Sequence, residues 1–202
     1  MAAPSSIPLF SVPLSFRNQA GELCIGTLEC LDSIKQFILD AISFGELDGT
    51  SECSPPLRCA VLCHGMLSNR NDYFIPQLSH DLLNSCESLD CVFRFDWSGM
   101  GESEGTFQYG GYQKLVQELS LFISTLRSKH NISVSHIIGH SMGAQTVMLY
   151  AAKFANVPHV IAIGQCHSQI ILNCLFLRYC GRLTIFCFCD SVRVLLLCCC
   201  CC

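Results

Sequence analysis

Residues 137–144 constrain the fold more than any other part of this chain, because they combine an apolar run with two closely spaced glycines. The stretch reads Ile-Ile-Gly-His-Ser-Met-Gly-Ala and places Ser141 between Gly139 and Gly143. This spacing is typical of a sharp turn from a strand into a helix, where larger residues beside the serine would clash. Such a turn lifts the serine hydroxyl out of the sheet, so we interpret Ser141 as a candidate nucleophile.

The hydrophobic pattern predicts an α/β fold. An antiparallel hairpin is expected near the N-terminus, followed from residue 58 by strands that alternate with helices. The predicted strands are 59–63, 91–95, 134–138 and 159–164, and the hairpin strands are 14–16 and 23–28. The predicted helices are 31–44, one that follows residue 70, 111–129 and 141–154. This alternation indicates a mostly parallel sheet with helices on both faces.

Three polar loops follow predicted strands, at 64–70, 96–103 and 139–143. In open α/β sheets, the carboxyl ends of parallel strands carry the ligand site. The first loop begins with His64-Gly65, and the second begins Asp-Trp-Ser-Gly-Met-Gly-Glu-Ser. These three loops are therefore expected to form one site.

The three motifs, in this order, resemble those of the α/β-hydrolase superfamily. The branch they resemble is the esterase/lipase-like group that includes serine aminopeptidases and monoacylglycerol lipases. The resemblance covers roughly residues 12–30 and 58–164. It implies a partial hydrolase domain over residues 1–164 with an insertion at 31–57.

The resemblance also implies roles for individual residues. Ser141 would be the nucleophile, and the backbone N–H groups of Met66 and Met142 would form the oxyanion hole. Gly65 would let the backbone approach the substrate. His64 is expected to pin the oxyanion loop by hydrogen bonds rather than to transfer protons.

Several other residues near these motifs have structural interpretations. Trp97 and Tyr109 have two open interpretations, contact with an acyl chain or packing in the core. Asp96 and Ser103 are interpreted as loop residues that cap a helix start. His140 adjoins the serine on a tight turn, so a structural role is expected for it.

The second half of a catalytic triad is not apparent. In the superfamily, an acid and then a histidine follow the serine, each after a further strand. The residues after Gly164 are too few for two more strand–helix units of about 30 residues each. Asp190 follows His167 and is therefore in the wrong order. His167 remains the candidate base, and the C-terminal strands are predicted to be missing or replaced.

Residues 165–202 form an apolar, cysteine-rich tail unlike the family. The run Cys198–Cys202 could carry lipid and so contact a membrane, or bind soft metal ions. The tail could also be an altered terminus without a selected function. A strand at Leu183–Cys187 could cover the open edge of the sheet.

Composition limits the partners and the compartment. The formal net charge is −4 and no basic stripe is present, so nucleic acid is not expected as a partner. Early cysteines occur singly in apolar segments, which suits free thiols and a cytoplasmic location. No cofactor and no metal site are expected.

Besides attachment to a membrane through acylated cysteines of the tail, two functions remain open at this point. The first is a serine hydrolase of esterase or lipase type that acts on a small-molecule ester, a lipid ester or an amide. The second is a catalytically incomplete fragment of that fold, acting as a binding or regulatory module or arising as an unproductive isoform.

Overall fold

A computed structural model describes residues 8–43, 55–72, 74–163 and 182–186 of the 202-residue chain. The strands are β1 (Leu9–Arg17), β2 (Leu23–Leu31), β3 (Leu57–Cys63), β4 (Cys91–Phe95), β5 (Ile132–His140), β6 (His159–Ile163) and β7 (Arg182–Phe186). The helices are α1 (Lys35–Ser43), α2 (Ile75–Ser85), α3 (Tyr112–His130) and α4 (Met142–Phe154), with a 3-10 turn at Asp32–Ile34 before α1.

The described strands form one sheet that is antiparallel at one side and parallel elsewhere. Its order is β1-β2-β4-β3-β5-β6-β7. β1 pairs with β2 and β2 with β4 in antiparallel register, whereas all later neighbours are parallel. The loops after β3, β4 and β5 therefore open at the same edge of the sheet. The predicted α/β class and the N-terminal hairpin are confirmed.

Helices cover both faces of the sheet. On one face, Ile75 and Leu83 of α2 pack in a cluster with Leu62 of β3. On the other face, α1, α3 and α4 contribute to a larger core, in which Phe95 and Phe122 pack with ring centroids 4.4 Å apart. Apolar residues that recur at helical spacing in the sequence thus pack against the sheet on both of its faces.

Strand β7 extends the sheet beyond β6. Leu183 pairs with Val160 and Ile185 with Ala162 in parallel register. This confirms the predicted additional strand, with bounds Arg182–Phe186 instead of Leu183–Cys187. The remainder of the tail lies outside the described residues. No described helix is both long enough and apolar enough to cross a membrane.

A buried ion pair joins β2 to β4 on the α2 side of the sheet. Arg94 donates to Glu29 through Nε at 2.9 Å and Nη2 at 2.6 Å, and the Ser79 hydroxyl donates to Glu29 at 2.5 Å. The exposed fractions of the Arg94 and Glu29 side chains are only 9% and 8%. Arg94 also donates to the carbonyl of Arg70 at 2.7 Å, so this pair supports the loop after β3.

Candidate active site

Ser141 lies between β5 and α4 in a backbone conformation that residues with side chains rarely adopt. Its φ is 54° and its ψ is −112°, outside the allowed regions for L-residues. Strain of this kind costs about 1–3 kcal/mol and persists only where the surroundings enforce it. The Ser141 N–H donates to the carbonyl of Ile163 at 2.9 Å, and its carbonyl accepts from Gln145 as α4 begins. The sharp turn predicted for this segment is present.

The two glycines of the motif are required by close backbone packing. A Cβ atom on Gly139 would lie 2.2 Å from the carbonyl oxygen of Gly143. A Cβ atom on Gly143 would lie 2.3 Å from the carbonyl oxygen of Cys63 at the end of β3. Real Cβ atoms do not approach backbone atoms so closely, so each position excludes a side chain.

The loop after β3 lies directly against the Ser141 turn. A Cβ atom on Gly65 would lie 3.3 Å from the Cβ of Ser141 and 3.2 Å from Nδ1 of His140. Met66 follows Gly65 in this loop. Met142 is the first residue of α4, and the first amides of a helix have no acceptor within it. The structure thus brings Gly65 and Ser141 together, while the oxyanion role of the two methionine amides stays a prediction.

Leu67 is a second strained residue beside this turn. Its φ is 55°, in a region that costs a residue with a side chain about 1–2 kcal/mol. Its side chain is 84% exposed, and that of the preceding Met66 is 44% exposed. Because Leu67 does not favour this conformation, the loop must be held from its two ends.

His64 holds one of those ends. Its Nδ1–H donates to the carbonyl of Gly65 at 2.8 Å, and its Nε2 accepts from the Trp97 N–H at 3.3 Å. Burial lowers the pKa of His64, although the Gly65 hydrogen bond and the charge of Asp96 act in the opposite direction. The prediction that His64 pins the loop is confirmed. With both ring nitrogens engaged, His64 has no free nitrogen to accept the Ser141 proton.

The prediction that Asp96 and Ser103 cap a helix is wrong. The loop after β4 consists of turns, and α3 begins only at Tyr112. Asp96 is fully buried and accepts from the backbone N–H of Arg70 at 2.6 Å and of Glu102 at 3.0 Å. Ser103 donates to the Asp96 carbonyl at 2.8 Å. These side chains satisfy donors and acceptors of loops rather than of a helix end.

Trp97 and Tyr109 lie in opposite environments. Trp97 has no exposed surface, packs edge-on against Phe95 with centroids 4.6 Å apart, and donates its indole N–H to the His64 carbonyl at 3.1 Å. Of its two interpretations, the structure supports core packing, because the buried ring has no surface for an acyl chain. Tyr109 is 86% exposed, and its contact with substrate stays a prediction.

No histidine within the described residues makes a hydrogen bond to the Ser141 hydroxyl. These histidines are His64, His80, His130, His136, His140 and His159. His140, the neighbour of Ser141, packs edge-on against Phe74 with centroids 5.0 Å apart, and burial lowers its pKa. His167 and Asp190 lie outside the described residues, so the assignment of His167 as the base stays a prediction.

The described chain also has a surface cavity away from the predicted site residues. This cavity of about 310 Å³ lies between the β1–β2 turn and α3, where Asn18, Lys114 and Glu118 contribute to its lining. None of the predicted site residues lines this cavity. The described ranges contain no group of three or more His, Cys, Asp or Glu side chains that could hold a metal ion.

The sheet order of the described strands is that of the α/β-hydrolase fold, and solved structures share it. Esterase Pf2001 of Pyrococcus furiosus has the same fold with a TM-score of 0.56 at 16% identity, over 80% of this chain and 51% of that chain. XC6422 of Xanthomonas campestris, an α/β serine hydrolase without a lid, has a TM-score of 0.58 at 15% identity, over 90% and 87% of the two chains.

The chain belongs to the serine aminopeptidase S33 family. The profile of that family matches residues 54–165, which are just over half of the sequence. Ethanol acetyltransferase 1 of Hanseniaspora uvarum is 29% identical over 98 residues, which are 46% of this chain and 25% of that protein. The chain therefore spans about a quarter of this curated relative and about half of the Pyrococcus esterase.

Proposed function

We propose that the chain is a serine hydrolase of esterase type, in which Ser141 attacks the carbonyl of a carboxylic ester or amide. The observation that carries this proposal is the strained backbone of Ser141 between Gly139 and Gly143, neither of which has room for a side chain. A serine that only packs or caps a helix does not need this conformation. A nucleophile does, because the strain holds its hydroxyl out of the sheet.

The reaction would proceed through an acyl-enzyme. The Ser141 Oγ forms a bond to the carbonyl carbon as its proton passes to a base, for which His167 is the candidate. The N–H groups of Met66 and Met142 donate to the resulting oxyanion, and the positive end of the α4 dipole favours the same charge. The intermediate collapses as the base returns this proton to the leaving group, which departs as the alcohol or amine. Water then releases the acid and restores the serine.

Exposed apolar residues in the loop that contacts the Ser141 turn favour a substrate with an apolar chain. These residues are Met66 and Leu67, and Leu67 is the more exposed of the two. An acyl or alcohol chain placed against them would remove apolar surface from water, at about 25 cal/mol per Å². A small-molecule ester or a lipid ester therefore suits the site better than a charged substrate.

A second candidate function is that of a catalytically incomplete fragment. It is favoured by the absence, among the described residues, of a histidine bonded to the Ser141 hydroxyl. Such a chain would bind an ester or a partner protein without turnover.

Labelling with a fluorophosphonate probe separates these candidates. We expect the purified chain to be labelled and Ser141→Ala to abolish labelling, because the probe reacts only with an activated serine. Ser135→Ala, a change on strand β5 just before the Ser141 turn, is the matched control and should be labelled as the wild type is. Intact-mass measurement and hydrolysis of a short-chain p-nitrophenyl ester provide the readouts.

Each outcome assigns the chain to one candidate. Labelling together with steady ester turnover supports the esterase. Labelling without turnover supports the incomplete fragment, with a reactive serine but no means of releasing the acyl group. A folded wild-type chain that is not labelled would show that Ser141 is not an activated nucleophile.

A further inference from the structure

We propose that Asp96 is a positioning residue for the loop that carries Met66, an inference that rests on the proposed hydrolase function. Asp96 is the first residue after β4, and its side chain has no exposed surface. It accepts from the Arg70 backbone N–H at 2.6 Å and from the Arg70 guanidinium. One buried carboxylate therefore binds both the main chain and the side chain of the residue at the far end of the β3 loop.

The loop after β4 is built around this carboxylate. The N–H of Glu102 donates to Asp96 at 3.0 Å. A Cβ atom on Gly101 would lie 2.4 Å from the carboxylate oxygen, and the φ of Gly101 is 56°. The backbone thus wraps closely enough around Asp96 that a side chain on Gly101 is excluded. A charge removed from water in this way is stable only when it is paired, and Arg70 supplies the pairing charge.

The two ends of the β3 loop are thereby fixed to neighbouring residues of the β4 loop. Arg70 is held by Asp96, and His64 is held by Trp97 through the hydrogen bonds at 3.3 and 3.1 Å. Between these anchors lies the short segment that contains Leu67 in its left-handed conformation. A strained residue keeps its conformation only while its flanks are fixed.

Asp96 acts on the site through this loop and not by contact. The hydrogen-bond partners of its carboxylate belong to Arg70 and Glu102, and this carboxylate makes no hydrogen bond to a histidine among the described residues. It is therefore placed to position a backbone amide rather than to serve as the acid of a triad. Loss of its charge would remove the buried partner of Arg70 and leave only the exposed Glu102 as a carboxylate on that side chain. The end of the loop would loosen, so Leu67 could relax and the Met66 amide could move away from Ser141.

The test compares Asp96→Asn with Glu102→Gln in the full chain. Glu102 is the other carboxylate on Arg70, but its side chain is 69% exposed, which makes it a matched control. We expect Asp96→Asn to slow fluorophosphonate labelling of Ser141 at saturating probe by at least about tenfold, since small displacements of reacting groups have effects of this size. The probe concentration at half-maximal rate should stay unchanged. Glu102→Gln should change the rate by less than about twofold, because exposed ion pairs contribute little.

Hydrogen exchange measured by mass spectrometry gives a second readout that does not require reactivity. Exchange of the amides in residues 64–72 should rise in Asp96→Asn and stay at the wild-type level in Glu102→Gln, while α3 and α4 stay protected in both.

If the wild type is not labelled, the hydrolase proposal fails, and hydrogen exchange still tests whether Asp96 anchors the loop. Should Asp96→Asn not fold, Arg70→Lys tests the same link, because lysine keeps the charge but cannot reproduce the guanidinium geometry. Wild-type labelling and wild-type exchange in the folded variant would overturn the proposal.

Discussion

Gly143→Ala is expected to destabilise the protein by at least about 4 kcal/mol and to abolish labelling of Ser141, because it creates a clash that the core cannot relieve. The added Cβ would lie 2.3 Å from the carbonyl oxygen of Cys63 and 2.8 Å from that of His64. Both are backbone atoms at the end of β3, which cannot rotate aside as a flexible side chain can. α4 would have to move away from β3, and Ser141 would lose contact with the loop that carries Met66.

The sign of this effect distinguishes it from ordinary helix propensity. Gly143 is the second residue of α4, and alanine is favoured over glycine in a helix by about 1 kcal/mol where space allows. Helix propensity alone would therefore make Gly143→Ala stabilising.

Urea unfolding of the full chain under reducing conditions, followed by circular dichroism, gives the free energy of unfolding. Gly21→Ala is the control: Gly21 has a φ of 81° with no atom within 4 Å of an added Cβ, so about 1–2 kcal/mol is expected. A Gly143→Ala variant as stable as the wild type would contradict this close packing.

Periodicity predicted most of the sheet and helices because each pattern is local. Strand β4 has the predicted bounds, Cys91–Phe95, and α3 differs from the predicted 111–129 by one residue at each end. The hairpin was predicted too short, since β1 extends over Leu9–Arg17. Pro13 interrupts that pattern, but β1 is the outermost strand of the sheet. An outermost strand tolerates proline because its missing N–H need not pair.

The candidate site was predictable only where its residues are close in sequence. The turn around Ser141 depends on residues within a single motif, and its backbone strain is the feature that the motif implies. Asp96 was misassigned because its partner, Arg70, lies 26 residues away on another loop. A helix cap needs only local donors, whereas this carboxylate binds donors that the sheet order brings together.

The sequence indicates that Glu29 and Arg94 each need a partner, but it does not show that they pair with each other. Each residue is the one charged side chain in a mostly apolar strand, Leu23–Leu31 for Glu29 and Cys91–Phe95 for Arg94. Charged residues in such positions are almost never fully buried unless they are paired. The two lie 65 residues apart and become neighbours only because β2 pairs with β4 across the sheet. The order of strands is a property of the whole fold, so no local pattern contains it.

Glu29→Gln is expected to lower the free energy of unfolding by about 3–5 kcal/mol at neutral pH, because it leaves Arg94 buried without an opposite charge. Glutamine has the shape of glutamate but cannot accept both guanidinium hydrogen bonds as an anion does. The loop after β3 should loosen as well, since Arg94 also donates to the Arg70 carbonyl. The free energy of unfolding is measured in urea, and Glu87→Gln, a change at an exposed carboxylate, is the control.

The pH dependence of stability gives this prediction a definite sign. Burial alone would raise the pKa of Glu29, but hydrogen bonds from Arg94 and Ser79 and the charge of Arg94 outweigh it, so the pKa lies below its ordinary value of 4.5. A lowered pKa means that the unfolded chain takes up the proton first as the pH falls. The stability contributed by Glu29 is therefore complete above about pH 4.5 and is lost as the pH falls through the folded-state pKa. In urea unfolding between pH 3 and pH 7, the difference in free energy of unfolding between wild type and Glu29→Gln should become smaller as the pH falls. A difference that stays constant over this range would contradict the paired, ionised state of Glu29.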